Sequence, residues 1–116
     1  MPHIVIEYSA GVETGVSVEA MMNAAHKGAM ASGLFPEYDI KARTVQYENH
    51  RTGQTRDSFV HVSIHLLSGR DDAQKSSLAE GVLGQLVPLL PEVVSVGVEI
   101  IDMHRESYRK QVLSSS

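Results

Sequence analysis

The segment Phe59-Val60-His61-Val62-Ser63-Ile64-His65-Leu66-Leu67-Ser68-Gly69-Arg70-Asp71-Asp72-Ala73-Gln74 changes its period midway, and that change decides the fold class. Val60, Val62, Ile64 and Leu66 alternate with Phe59, His61, Ser63 and His65, which is the period of a strand. Ser68-Gly69 breaks the run. Asp71 followed by Gln74 has the spacing of a capping box, in which side chains and backbone at a helix start satisfy one another. Beyond it Leu78, Val82, Leu86 and Leu89 or Leu90 recur at helical spacing, with Pro91 as the expected stop. Val94, Val96, Val98 and Ile100 then alternate as a further strand. Residues 58–103 therefore read as a β-α-β unit.

The preceding half has the same pattern. His3–Tyr8 is a β-rich run with Ile4, Ile6 and Tyr8 on one face and Val5 on the other, the mark of a strand inside a sheet. After a glycine-containing loop at Gly11–Gly15, Val18, Met21, Met22, Ala25 and Ala29 trace one face of a helix. Ser17 is its candidate N-cap and Gly33 its candidate stop. A connector containing Pro36 leads to a strand at Ile40–Glu48, and Asn49–Gln54 reads as a turn or hairpin loop. Residues 3–49 thus form a first β-α-β unit, each unit being near the minimum size for a crossover. The expectation is one α+β domain over residues 1–116. It is a duplicated β-α-β-β-α-β chain with a four-stranded mixed sheet and two helices on one face. Residues 104–116 form a C-terminal arm or short strand, frayed at Ser114-Ser115-Ser116.

Composition narrows the function. Of 116 residues, 42% are hydrophobic and 21% charged, as in an ordinary globular chain. Fourteen acids against ten Lys and Arg give a net charge of −4, which argues against nucleic-acid binding but leaves room for a local cationic pocket. There is no cysteine, so disulfides, thiolate metal sites and cysteine nucleophiles are excluded. The N-terminus lacks the pattern of a signal peptide and no apolar run suits a membrane span, so a cytoplasmic setting away from membranes is expected. So short a chain also gains from oligomerisation, because it buries a small share of its own surface.

The catalytic inventory is short. No G-x-S-x-G nucleophile elbow and no phosphate-binding glycine loop occurs. His61 and His65 share a strand face but stand roughly 13 Å apart, too far for one ion, so no metal is expected. Pro2 is different. Proline after an initiator methionine is normally left as the new N-terminus, and its nitrogen is then a compact secondary amine on a rigid ring. An α-amino group titrates near pH 8; burial and neighbouring cations lower that value toward the range where a general base works. Taken alone, a proline at this position more often merely begins a strand. The supporting cations are Lys41 and Arg43, two apart and so on one strand face, and Arg70, between a strand end and a helix start. Such groups can hold carboxylates and stabilise a developing dienolate.

Met1-Pro2-His3, Gly33-Leu34-Phe35-Pro36, Ile40-Lys41-Ala42-Arg43, Phe59-Val60-His61-Val62, Gly69-Arg70 and Glu99-Ile100 occur in this order. Together they resemble the 5-carboxymethyl-2-hydroxymuconate isomerase family of the tautomerase superfamily, from the first residue to about His104. The resemblance implies a homotrimer of tautomerase-like subunits with sites near subunit boundaries. It also implies a cofactor-free proton shift in an unsaturated 2-hydroxy dicarboxylic or tricarboxylic acid from aromatic degradation. Pro2 is then the base, and Lys41, Arg43 and Arg70 bind substrate. Arg43 and Arg70 match the family pattern. Lys41 stands where that pattern has arginine, and lysine lacks the planar bidentate contact. The segment after His104 also diverges. Two other readings remain: a related reaction on the same scaffold (keto–enol tautomerase, dehalogenase or decarboxylase), with Glu7, Glu99, Tyr8 or Tyr47 as a second acid or base, or a trimeric ligand-binding module without catalysis.

Overall fold

The computed structural model describes residues 1–113, so the expected fraying at Ser114–Ser116 lies outside the described residues. The strands are β1 (His3–Ser9), β2 (Lys41–Tyr47), β3 (Phe59–Leu67) and β4 (Ser95–Met103); the helices are α1 (Val18–Ala31) and α2 (Asp72–Leu86). The sheet order is β2-β1-β3-β4, with β1 parallel to β2, β3 parallel to β4, and β1 antiparallel to β3. The four-stranded mixed sheet with two helices is the expected α+β fold. A two-fold relation between the units follows from this order. Crossovers of the usual hand then send both helices to one face.

The local signals act as read. The Ser17 side chain accepts from the Ala20 N–H at 3.1 Å, and Gly33 follows the helix with φ 70°. At α2 the full capping box forms: Gln74 N–H donates to the Asp71 carboxylate at 2.8 Å, and Asp71 N–H donates to the Gln74 side chain at 3.0 Å. The core lies between sheet and helices, where Ile4, Ile6, Val62 and Ile64 meet Met21, Ala25, Leu78 and Val82.

Two readings need correction, and two open alternatives are resolved. The connection at 49–54 is not a hairpin between its flanking strands, because β1 lies between β2 and β3 and pairs with both. Thr52 and Thr55 close only a local turn. Helix α2 ends at Leu86 and not at Pro91, since Pro88 has no N–H for the helix ladder; Val87–Leu89 forms a tighter turn instead. Of the two leucines, Leu90 is buried and Leu89 exposed. The last strand starts at Ser95, leaving Val94 exposed, and runs on to Met103 because β3 offers it partners as far as Leu67. Among the described residues after His104, Arg105–Ser107 forms a short turn and extended chain follows, with no added strand.

The second face of the sheet has no helix on it. His3 and Val5 of β1, Phe59, His61, His65 and Leu67 of β3 are half-buried there, and Val45 and Tyr47 of β2 are exposed. Among the described residues no helix is long and apolar enough to cross a membrane.

Candidate active site

Pro2 is fully buried where β1 begins, and its carbonyl accepts from the Lys41 backbone N–H at 3.0 Å, so the start of β2 holds it in place. Met1 is also buried. Its amine donates to the Asp39 carbonyl at 3.1 Å. With Met1 attached, the Pro2 nitrogen is a tertiary amide and has no basicity. The Met1 amine is pushed down to about 6, first by burial, then by the Lys41 and Lys110 ammonium groups, with Asp39 opposing.

Met1 lines a cleft of about 480 Å³, and Pro2 lies buried next to it in the chain. Phe35 and Pro36 supply one wall, and Arg70 comes from the turn between β3 and α2. The Arg70 guanidinium donates to the Leu67 carbonyl at 3.2 Å and the Leu34 carbonyl at 3.1 Å, and lies 5.3 Å from the centre of the Phe35 ring. Two carbonyls and a stacking surface fix its plane, so it presents an oriented fork of donors. The remaining wall is the C-terminal segment, with Arg105, Tyr108, Arg109 and Lys110.

The expected cations separate. Arg70 lines the cleft. Lys41 lies at its edge, beside the terminal amine, with Nζ 3.4 Å from the Asp39 carbonyl. Arg43 lies on the helix-free sheet face, where it donates to His3 Nδ1 at 3.1 Å. His3 is held below its usual value by burial, then by Arg43, the terminal amine, Lys41 and His65. A neutral ring with its lone pair on Nδ1 suits that contact, because arginine can only donate. The proposed second acids also lie elsewhere. Tyr47 donates to Glu7 at 2.6 Å, Tyr8 to Gln46 at 3.1 Å, and Glu99 pairs with His61. None of these lines the cleft.

Sequence reasoning missed Asp39, Arg105, Tyr108, Arg109 and Lys110. A signal existed for the last group: three cations within six residues of a tail that was read as a bare arm. A second cleft of about 400 Å³ opens at the other end of the sheet, between Gly11–Val16 and Leu89–Val93. Its only charged lining residue is Glu92, so an anion favours the N-terminal cleft.

Comparison with known proteins identifies the family and the fold. The family model described as 5-carboxymethyl-2-hydroxymuconate isomerase matches residues 2–110. A search of curated protein sequences returns no match. Among solved structures, the chain is similar to a 5-carboxymethyl-2-hydroxymuconate isomerase from Deinococcus radiodurans R1, with TM-score 0.80 and 18% identity over 95% of this chain and 88% of that one. It is similar to N1, a member of the cis-3-chloroacrylic acid dehalogenase family, with TM-score 0.75 and 15% identity over 93% of this chain and 79% of that one. It is also similar to a fused 4-OT forming a symmetric trimer, with TM-score 0.73 and 16% identity over 88% of this chain and 85% of that one. At these identities the structures establish a shared fold, and the match over residues 2–110 establishes the family: the chain belongs to the 5-carboxymethyl-2-hydroxymuconate isomerase family.

Proposed function

We propose that this isomerase, once Met1 is removed, uses the secondary amine of Pro2 to move a proton within an unsaturated 2-hydroxy dicarboxylic or tricarboxylic acid, with no cofactor. The amine takes the hydroxyl proton of the enol. The O–H electron pair becomes the carbonyl π bond, the diene electrons shift outward, and the ammonium returns the proton to a distant carbon. The product is the conjugated ketone; nothing is oxidised and no water is consumed. Arg70 holds a substrate carboxylate, and Lys41 keeps the amine unprotonated by repelling its proton. A cytoplasmic setting belongs to this reading.

The observation that carries it is Pro2 buried directly behind Met1, which is itself part of the lining of a cationic cleft. Excision of one residue then frees the base and vacates room for substrate. The test is conversion of a 2-hydroxydienoate to its ketone by protein whose intact mass lacks Met1; absence of conversion overturns the reading. Arg70→Ala is expected to raise KM for such an anion about 10- to 100-fold, the range of a hydrogen bond to a charged group. An unchanged KM removes Arg70 from binding.

We further propose a homotrimer. A sheet covered by helices on one face still presents half-buried Val5, Phe59 and Leu67 on the other, and layered folds cover such faces. Arg43 then serves that face and not the substrate. Light scattering is expected to give three times the 12.7 kDa chain mass; a monomeric mass overturns the assembly.

A further inference from the structure

The three guanidinium groups that line the N-terminal cleft share an unusual property. Among the described residues, none of Arg70, Arg105 and Arg109 is paired with a carboxylate. The Arg105 Nε donates to the Ser68 carbonyl at 2.8 Å. Arg109 donates to the carbonyls of Glu106 at 3.0 Å and Tyr108 at 2.9 Å. Arg70 is likewise held by carbonyls alone. Neutral acceptors orient these groups and leave their charge uncompensated. Lys110 differs, because it pairs with Asp39 at 3.4 Å, and among the described residues Asp39 is the only acid lining the cleft. The Glu106 carboxylate is engaged by His104 at 3.4 Å.

The segment that carries Arg105 and Arg109 is fastened at three points: Arg105 to Ser68, Tyr108 against the hydrophobic core, and Lys110 to Asp39. Arg105 and Arg70 both abut the turn that follows β3. Like charges gathered on one wall repel each other unless an anion lies between them. Guanidinium forks match carboxylates in plane and spacing.

We infer that Arg105 and Arg109 form a second carboxylate subsite, distinct from the one assigned to Arg70, so that the cleft selects a dicarboxylate over a monocarboxylate of the same skeleton. This deepens the proposed function and rests on it for the identity of the cleft as the substrate site. Two unreactive probes isolate the effect. Muconate and sorbate share a six-carbon diene, and muconate carries a carboxylate where sorbate has a methyl group; neither has an enol to turn over. With protein lacking Met1, calorimetry is expected to show muconate binding at least about tenfold more tightly than sorbate. In R105Q/R109Q, muconate is expected to weaken about 10- to 100-fold and sorbate less than about threefold. Equal losses for both probes, or none, overturn the subsite. Arg109→Gln alone guards against misfolding, because among the described residues that side chain donates hydrogen bonds only to carbonyls of its own segment. Its circular dichroism is expected to match the wild type while muconate alone weakens; sorbate weakening equally overturns the subsite. Muconate preference without enol conversion leaves the subsite standing and removes Pro2 as base. Conversion without muconate preference removes the subsite alone.

Discussion

Protein that keeps Met1 is expected to convert a 2-hydroxydienoate at least about 100-fold more slowly than protein from which Met1 has been cleaved, the low end of what a positioned base contributes. Two effects act together. The Pro2 nitrogen remains an amide, and Met1 stays in place as part of the cleft lining. Pro2→Ala separates them, because cleavage then leaves a primary amine in an emptied cleft; its rate is expected to fall between the two. Equal rates for all three proteins would remove Pro2 from its role. The pH profile supplies an independent reading. Burial, Lys41 and Lys110 push the Met1 amine down to about 6, and the two lysines would act on a freed Pro2 amine in the same direction. Since the base works unprotonated, kcat/KM should rise with pH through the amine's pKa and then level. Replacing Lys41 by Gln removes a positive charge that opposes protonation, so the rising limb moves to higher pH. A limb that stays in place shows that Lys41 does not tune the base.

The largest effect on stability is expected at Gly28. A Cβ built on it would lie 2.7 Å from the Val82 Cα and 3.0 Å from both the Gly81 carbonyl oxygen and the Val82 nitrogen. All three are backbone atoms of α2, so neither helix can yield by turning a side chain. Gly28→Ala gains about 1 kcal/mol of helix propensity, but it must push the helices apart over a close-packed core. A net loss of about 1–3 kcal/mol is expected. Gly84→Ala is the matched control, since nothing lies within 4 Å of its added Cβ. That variant is expected to gain up to about 1 kcal/mol. Thermal melts of the pair decide the matter: a stability gain at both positions would mean that the crossing relaxes freely.

The reading of α1 shows why this contact escaped notice. Val18, Met21, Met22, Ala25 and Ala29 identify a core-facing helix, and Met21, Ala25 and Ala29 are indeed fully buried. A second line, Ala24 and Gly28, is buried as well and meets α2. Small residues carry little hydropathy signal. Their value lies in how near they let another backbone come, which depends on a partner far away in the chain.

Alternation, capping and breaks were legible because they are set within a few residues by backbone sterics and local hydrogen bonds. From them came four strands, two helices, the Ser17 and Asp71 caps, and the prominence of Pro2 and Arg70. One local signal was passed over, for Pro88 was present to end α2 ahead of Pro91. Strand order was not legible in this way. Whether β2 pairs with β3 as a hairpin or with β1 as a crossover depends on which arrangement buries more apolar surface over long separations. The cleft follows the same logic. Arg43 and Lys41 share a strand face in any sheet, yet the N-terminal cleft lies at the end of that sheet, where the residues after His104 fold back. Neither periodicity nor charge says where a tail without a period will pack. The core under Tyr108 and the pairing of Lys110 with Asp39 settled that, and so brought Arg105 and Arg109 to the cleft that Met1 lines.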